Sequence, residues 1–189
     1  MLVAFGYSGK NGSNMPAPEN FSTARLNAVP LDLSHLDELC VLHKDAEVSK
    51  YLGGVRDEAA TRTYITDNIA HWDEYGFGTW ALYAKDGALR DKAGAFAGRC
   101  ALRHITINDV DEVELGYTFA RDYWGRGLAT EVSRSVLEIG FGALRLPNII
   151  AFADAEHRAS RHVMEKLGFQ FEYEGEIKGG WCALYRLFA

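Results

Sequence analysis

Tyr123-Trp124-Gly125-Arg126-Gly127-Leu128-Ala129-Thr130-Glu131 is the stretch on which the reading of this chain turns. It joins a strand-like segment, Glu114-Leu115-Gly116-Tyr117-Thr118-Phe119, to a run with helical periodicity. Two glycines without Cβ let the backbone turn tightly and come close to a ligand. The first N–H groups of a helix starting near Gly127 lack a partner within that helix, so the junction suits an anion such as a phosphate. Turn geometry alone also places Gly-x-Gly at strand–helix junctions, so the spacing does not decide by itself. A dinucleotide fingerprint requires a third Gly or Ala where Thr130 stands and an acidic residue about 20 positions on. A Walker-type loop requires Gly-Lys-Ser/Thr, whereas Gly9-Lys10 is followed by Asn11. Neither pattern is met.

A second segment, residues 148–169, reads as strand, polar turn, helix and stop. Trp124-Gly125-Arg126-Gly127-Leu128-Ala129-Thr130-Glu131, Ala155-Glu156-His157-Arg158-Ala159-Ser160-Arg161 and Glu165-Lys166-Leu167-Gly168-Phe169 together resemble the GNAT acetyltransferases, specifically the RimJ/RimL-like branch that acetylates protein N-termini. Val48-Ser49-Lys50-Tyr51-Leu52-Gly53-Gly54 and Trp72-Asp73-Glu74-Tyr75-Gly76-Phe77-Gly78-Thr79-Trp80 resemble the N-terminal half of that branch. The likeness runs from residue 23 to the C-terminus and implies one GNAT domain over 23–189. The implied fold is α/β (α+β): a mixed, mostly antiparallel sheet of about six or seven strands, splayed at its centre and flanked by about four helices.

The resemblance also implies chemistry. Acetyl-CoA is the co-substrate, its pantetheine arm lying along Tyr117, Thr118 and Phe119 like an added strand. Its pyrophosphate lies on the backbone N–H groups of Gly125, Arg126, Gly127, Leu128, Ala129 and Thr130. Trp124 stands where the family commonly has Gln or Arg. Glu114, five residues before Phe119, matches the position of a catalytic glutamate in several GNAT enzymes; an exposed strand-end carboxylate is the alternative. Strand alternation puts Glu112 on the same face, so crowding of the two carboxylates is expected to raise a pKa. Ser160 is the candidate general acid toward the leaving thiolate, in the family's Asn-x-x-Ser motif. Its alternative is a first-turn serine bonded to its own helix. His157 replaces the motif's asparagine, which in relatives contacts the cofactor arm. Tyr185 matches a tyrosine often seen in the last strand, although a core or sheet-edge aromatic accounts for it as well.

Composition bounds the rest. The chain has 189 residues, 48% of them apolar, enough for one substantial core. A formal charge of −6 argues against nucleic acid as a partner and favours cationic ones. Cys40, Cys100 and Cys182 are far apart and lack Cys-x-x-Cys spacing, so they read as buried thiols and not as a disulfide or metal framework. No apolar run reaches the ~18 residues of a membrane span, and the start has no signal-peptide pattern. A cytoplasmic enzyme, monomer or homodimer, without metal or membrane partner, is expected. Residues 1–22 are expected to be a poorly ordered leader, and 1–14 an extension or misassigned start, because Met15-Pro16-Ala17-Pro18 reads as a second beginning.

Periodicity predicts a strand at 25–31, then a helix with Leu33, Leu36, Leu39, Cys40 and His43 inward and Ser34 as N-cap. A second helix is predicted over 58–72, ended by Gly76-Phe77-Gly78. Paired strands at 80–83 and 96–107 flank a solvated turn at 85–94. The helix from 127 is predicted to reach 141, followed by a buried strand at 149–152, a helix closed by Gly168, and strands at 169–176 and 181–188. The acceptor is expected to be a peptide or protein N-terminal amine drawn in by Asp73, Glu74, Asp111, Glu112 and Glu114. A small-molecule acetyltransferase acting on polyamines, amino sugars or aminoglycosides, and an acyl-CoA-binding regulator without turnover, stay open at this point.

Overall fold

The computed structural model describes residues 17–86 and 94–189. The predicted turn at 85–94 falls mostly outside these residues, as does the predicted extension at 1–14. Within residues 17–22, assigned to the leader, Ala17 is buried and Phe21 meets Trp80 edge-on at 5.3 Å, while Pro18, Glu19, Asn20 and Ser22 are exposed.

The strands are β1 (Phe21–Ser22), β2 (Leu26–Pro30), β3 (Thr79–Ala84), β4 (Phe96–Ile107), β5 (Val110–Phe119), β6 (Asn148–Asp154), β7 (Gln170–Ile177) and β8 (Gly180–Phe188). They form one sheet of order β1-β2-β3-β4-β5-β6-β8-β7, antiparallel except between β5 and β6. The hairpins at its core follow from turn chemistry. Asn108 and Asp109 both have positive φ, the requirement of a two-residue primed turn, and Lys178-Gly179 repeats it between β7 and β8.

The helices are α1 (Leu36–Lys44), α2 (Ala46–Ser49), α3 (Glu58–Tyr75), α4 (Leu128–Glu138) and α5 (Arg158–Lys166). Ser34 is not the cap of α1. Asp32 instead caps a short 3-10 turn, Leu33–His35, that leads into the helix, accepting from Ser34 N at 2.8 Å, and His35 stands at the start of α1 without a side-chain capping bond. Gly76 ends α3 in the left-handed conformation. The helix predicted to reach 141 is regular only to Glu138 and widens into a π turn over Ile139–Ala143. There a Cβ on Gly140 would stand 2.6 Å from Ile149 Cδ1, so any larger residue would have to displace that buried side chain.

Alternation in β4 and β5 divides the sheet's two sides. Leu102, Val113 and Leu115 join the large core with Leu128, Val132 and Val136 of α4 and Met164 of α5. Ala81 of β3 packs instead with Leu39, Leu42, Val48 and Ile65 of α1–α3. Cys40, Cys100 and Cys182 are buried free thiols, as their spacing suggested.

Candidate active site

β4 and β5 pair along their whole length, from Gly98↔Phe119 to Ile107↔Val110. β5 and β6 pair only at Glu114↔Ile150. Beyond Glu114 the two parallel strands separate, and the β6 side of residues 115–119 has no strand partner. Gly98 makes the other side of this stretch fit, since a Cβ there would fall 2.1 Å from the Thr118 carbonyl oxygen.

At the open end of the gap lies the glycine turn. Gly125 has φ +70° and Gly127 φ +74°, and a Cβ on Gly125 would meet nothing within 4 Å. Backbone conformation, and not crowding, is therefore what demands glycine. Gly127 starts α4 with no side chain capping it, so the N–H groups of its first turn face outward. Two contacts that sequence reasoning missed fix the turn. Trp124 Nε1 donates to the Phe119 carbonyl at 2.7 Å, tying the turn to the end of β5 and taking one acceptor of the candidate pantetheine edge. Arg25 bonds Glu131 through Nε at 2.6 Å and the Arg126 carbonyl through Nη1 at 2.8 Å. Its partners are 106 and 101 residues away in sequence, so no local pattern could reveal the clamp.

Glu114 is 5% exposed, which removes the reading of an exposed strand-end carboxylate. Arg103, opposite it on β4, donates to Oε2 at 2.8 Å, while Oε1 lies over Gly116, 3.6 Å from where a Cβ would be. Glu112 does share its face, but the two carboxylates do not crowd each other as expected. Glu112 binds Arg186 of β8 in a two-pronged contact at 2.7 and 2.8 Å.

On the opposite face of β5, the Tyr117 hydroxyl lies 2.9 Å from Ser160 Oγ. The serine hydroxyl is thus directed across to the strand and not back along its own helix. Burial pushes the Tyr117 phenol up to about 12, with the Ser160 bond opposing part of the shift. It is protonated at any physiological pH and can donate. Sequence reasoning placed Tyr117 for its main chain alone; its place on β5, on the face opposite Glu114, was the available signal.

His157 occupies the N-cap of α5, its Nδ1 accepting from Ser160 N at 3.3 Å, the bond an asparagine makes at an N-cap. Burial, its foremost influence, lowers the imidazole pKa, so the neutral ring with its proton on Nε2 suits this contact. The ring also lies 4.1 Å from that of Tyr51, which carries the segment after α2 over the start of α5. Tyr185 is a buried core residue whose hydroxyl accepts from Arg161 at 3.0 Å. An open cleft of about 660 Å³ on α5, lined by Arg158, Arg161, His162 and Glu165 among others, lies off the inward stripe that carries Ser160. Among the described residues no cluster of His, Cys, Asp and Glu is arranged to hold a metal, and no helix is long and apolar enough to cross a membrane.

A strand order of this kind, opened between two parallel central strands over a glycine turn, defines the acetyltransferase class of mixed α/β folds. The Acetyltransferase (GNAT) domain family matches residues 25–170, and the chain belongs to that family and is an acyltransferase. The uncharacterised protein YkkB of Bacillus subtilis is 31% identical over 131 residues, 69% of this chain and 73% of its own. The uncharacterised N-acetyltransferase p20 of Bacillus licheniformis is 27% identical over 82% of this chain and 84% of its own. A crystal structure of an acetyltransferase from Agrobacterium tumefaciens has a TM-score of 0.78 at 22% identity, covering 96% of this chain and 100% of that one, a likeness of fold. The family implies acetyl-CoA as donor. The uncapped start of α4, the open space at Gly125 and the unpaired edge of β5 fit a molecule with a pyrophosphate and an amide-bearing arm.

Proposed function

We propose that this protein transfers the acetyl group of acetyl-CoA to the α-amino group of a peptide or protein N-terminus, by direct attack in a ternary complex. The observation that carries the mechanism is the division of labour across β5: the buried Glu114 on one face, the Tyr117–Ser160 pair on the other. Acetyl-CoA supplies an activated thioester. Residues 125–130 and Trp124 hold its pyrophosphate end, the edge at 117–119 aligns its arm, and His157 fixes the turn that presents Ser160. Glu114 accepts the amine proton through Oε1, directly or through a water, while Arg103 keeps Oε2 in place. The C–N bond forms as the C–S bond breaks, and the leaving sulfur takes a proton from the Tyr117–Ser160 pair. An α-amine, with a reference pKa near ~8, needs less help in losing its proton than a lysine near ~10.4.

The N-terminal acceptor is supported by the likeness to a putative ribosomal N-acetyltransferase of Bacillus subtilis, YdaF, 27% identical over 80% of this chain. The RimJ/RimL-like motifs point the same way. A polyamine acceptor is the second reading, favoured by the spermidine N(1)-acetyltransferase of Escherichia coli, 32% identical over 37% of this chain. Arginines hold Glu112 and Glu114, so recruitment of a cation by carboxylates falls to Asp73, Glu74 and Asp111, the last of which also accepts from Thr106. Thiol release and product mass, with peptides of free and blocked N-termini, spermidine and an aminoglycoside at equal concentration, test the reading. Acetylation of free peptides alone is expected; a decisive preference for the small amines overturns it.

A further inference from the structure

Two guanidinium groups lie over the ring of Tyr64, with a third nearby, on the same side of the sheet as Glu114. Arg99 Cζ lies 4.8 Å and Arg56 Cζ 5.3 Å from the ring centroid. Arg103 is close enough to act electrostatically on both Tyr64 and Arg99. Among the described residues one carboxylate pairs with any of the three. Glu114 is taken by Arg103 at 2.8 Å, while Asp45 pairs with Arg121, and Glu112 with Arg186. Among the described residues neither Arg56 nor Arg99 has an ion-pair partner. His43, 5.4 Å from Tyr64, adds no negative charge.

The polar atoms here are also unusually bare. Arg99 is 6% exposed and its Nε is buried without a hydrogen-bond partner, as are the Tyr64 hydroxyl and His43 Nε2. A buried donor without a partner is costly, and a buried guanidinium without a counter-charge more so. Stacking on Tyr64 offsets part of that cost but leaves Arg99 Nε without a partner, whereas Arg56 also donates to the Leu52 carbonyl at 3.3 Å. In a chain of net charge −6, this is a local concentration of positive charge. Its place is informative: Arg99 lies opposite Thr118, and Arg103 opposite Glu114, along the stretch where β5 leaves β6.

Resting on the acetyl-transfer reading above, we propose that the acceptor is a primary amine that carries a carboxylate, which Arg99 and Arg56 bind beside Tyr64 while the amine faces Glu114. A guanidinium fork matches a carboxylate in shape, and the bond is charge-assisted. The same site repels polyamines. The carboxylate has two sources, an acidic side chain following a peptide's first residue or the α-carboxylate of a free amino acid.

Two matched pairs separate them: Ala-Glu against Ala-Gln in C-terminally amidated peptides, and alanine against alaninamide. In at least one pair the acid is expected to exceed its amide in kcat/KM by about 10-fold or more, the range of a charge-assisted hydrogen bond. The pair that responds names the source. Arg99→Gln is expected to bring that ratio towards one. Because Arg99 is buried, Arg56→Gln at a half-buried site serves as the second variant, with folding and acetyl-CoA affinity checked by circular dichroism and calorimetry. Ratios near one or below in the wild type, or an unchanged ratio in folded variants, overturn the carboxylate proposal while leaving acetyl transfer standing. Absence of transfer to any amine overturns both.

Discussion

Glu114 and the Tyr117–Ser160 pair face opposite sides of one strand, and their replacement should separate two proton transfers. Glu114→Gln is expected to lower kcat by about 10²-fold or more, the usual scale of general-base assistance, with little change in acetyl-CoA affinity. The deficit should shrink as pH rises and the amine sheds its own proton; a wild-type pH–rate profile would remove Glu114 from the reaction. Tyr117→Phe and Ser160→Ala are each expected to slow turnover, and the double variant to be little slower than the worse single one, because the two hydroxyls share one hydrogen bond. Fully additive losses would show that they act apart. His43 sets an acid limit of its own. Burial first, then Arg99 and Arg56, hold its pKa down at about 3 against an ordinary 6.5. The unfolded chain therefore takes up a proton below about pH 6.5 that the folded one refuses. Stability is fully present above that pH and falls between about 6.5 and 3, by up to about 1.4 kcal/mol per pH unit. His43→Gln should flatten the melting temperature in this window relative to wild type; parallel curves would contradict it. Glu114 and Ser160 could be singled out as candidates in the sequence because the family resemblance marks their positions. Arg103 and Arg25 were not, since their partners are brought by strand register and by chain folding.

At the scale of elements, long periodic segments were readable and short ones were not. β1 has two residues and α2 four, too few to show any period. The cap of α1 was misread as Ser34 because a 3-10 turn opened by Asp32 precedes it. The π turn after α4 sits against Ile149, a neighbour from another element that local periodicity cannot show. The glycine turn was legible, and its structure sharpens the expected effect of substitution. Among the described residues a Cβ at Gly127 meets Arg25 Nη2 alone, at 3.8 Å, so Gly127→Ala should cost the ~1–2 kcal/mol of a left-handed residue and weaken acetyl-CoA modestly. Gly127→Asp adds a negative charge at the uncapped start of α4 and should weaken acetyl-CoA by about 10-fold or more beyond that. Calorimetry on the folded variants decides; equal affinities would place the pyrophosphate elsewhere.

For the whole molecule, the glycine junction and the second motif located the gap between β5 and β6, because the resemblance fixes strand order where periodicity alone does not. Two of the carboxylates on the acceptor side, Glu112 and Glu114, are bound by arginines that counting carboxylates in sequence does not reveal. Reaction in a ternary complex requires both substrates in that one gap before either bond changes. Initial rates of thiol release, with acetyl-CoA and an accepting amine both varied and intact protein mass followed with acetyl-CoA alone, test this directly. Intersecting double-reciprocal lines and a protein that gains no acetyl group are expected; parallel lines with an acetylated enzyme, or acetyl-CoA bound but never turned over with any amine, would contradict it.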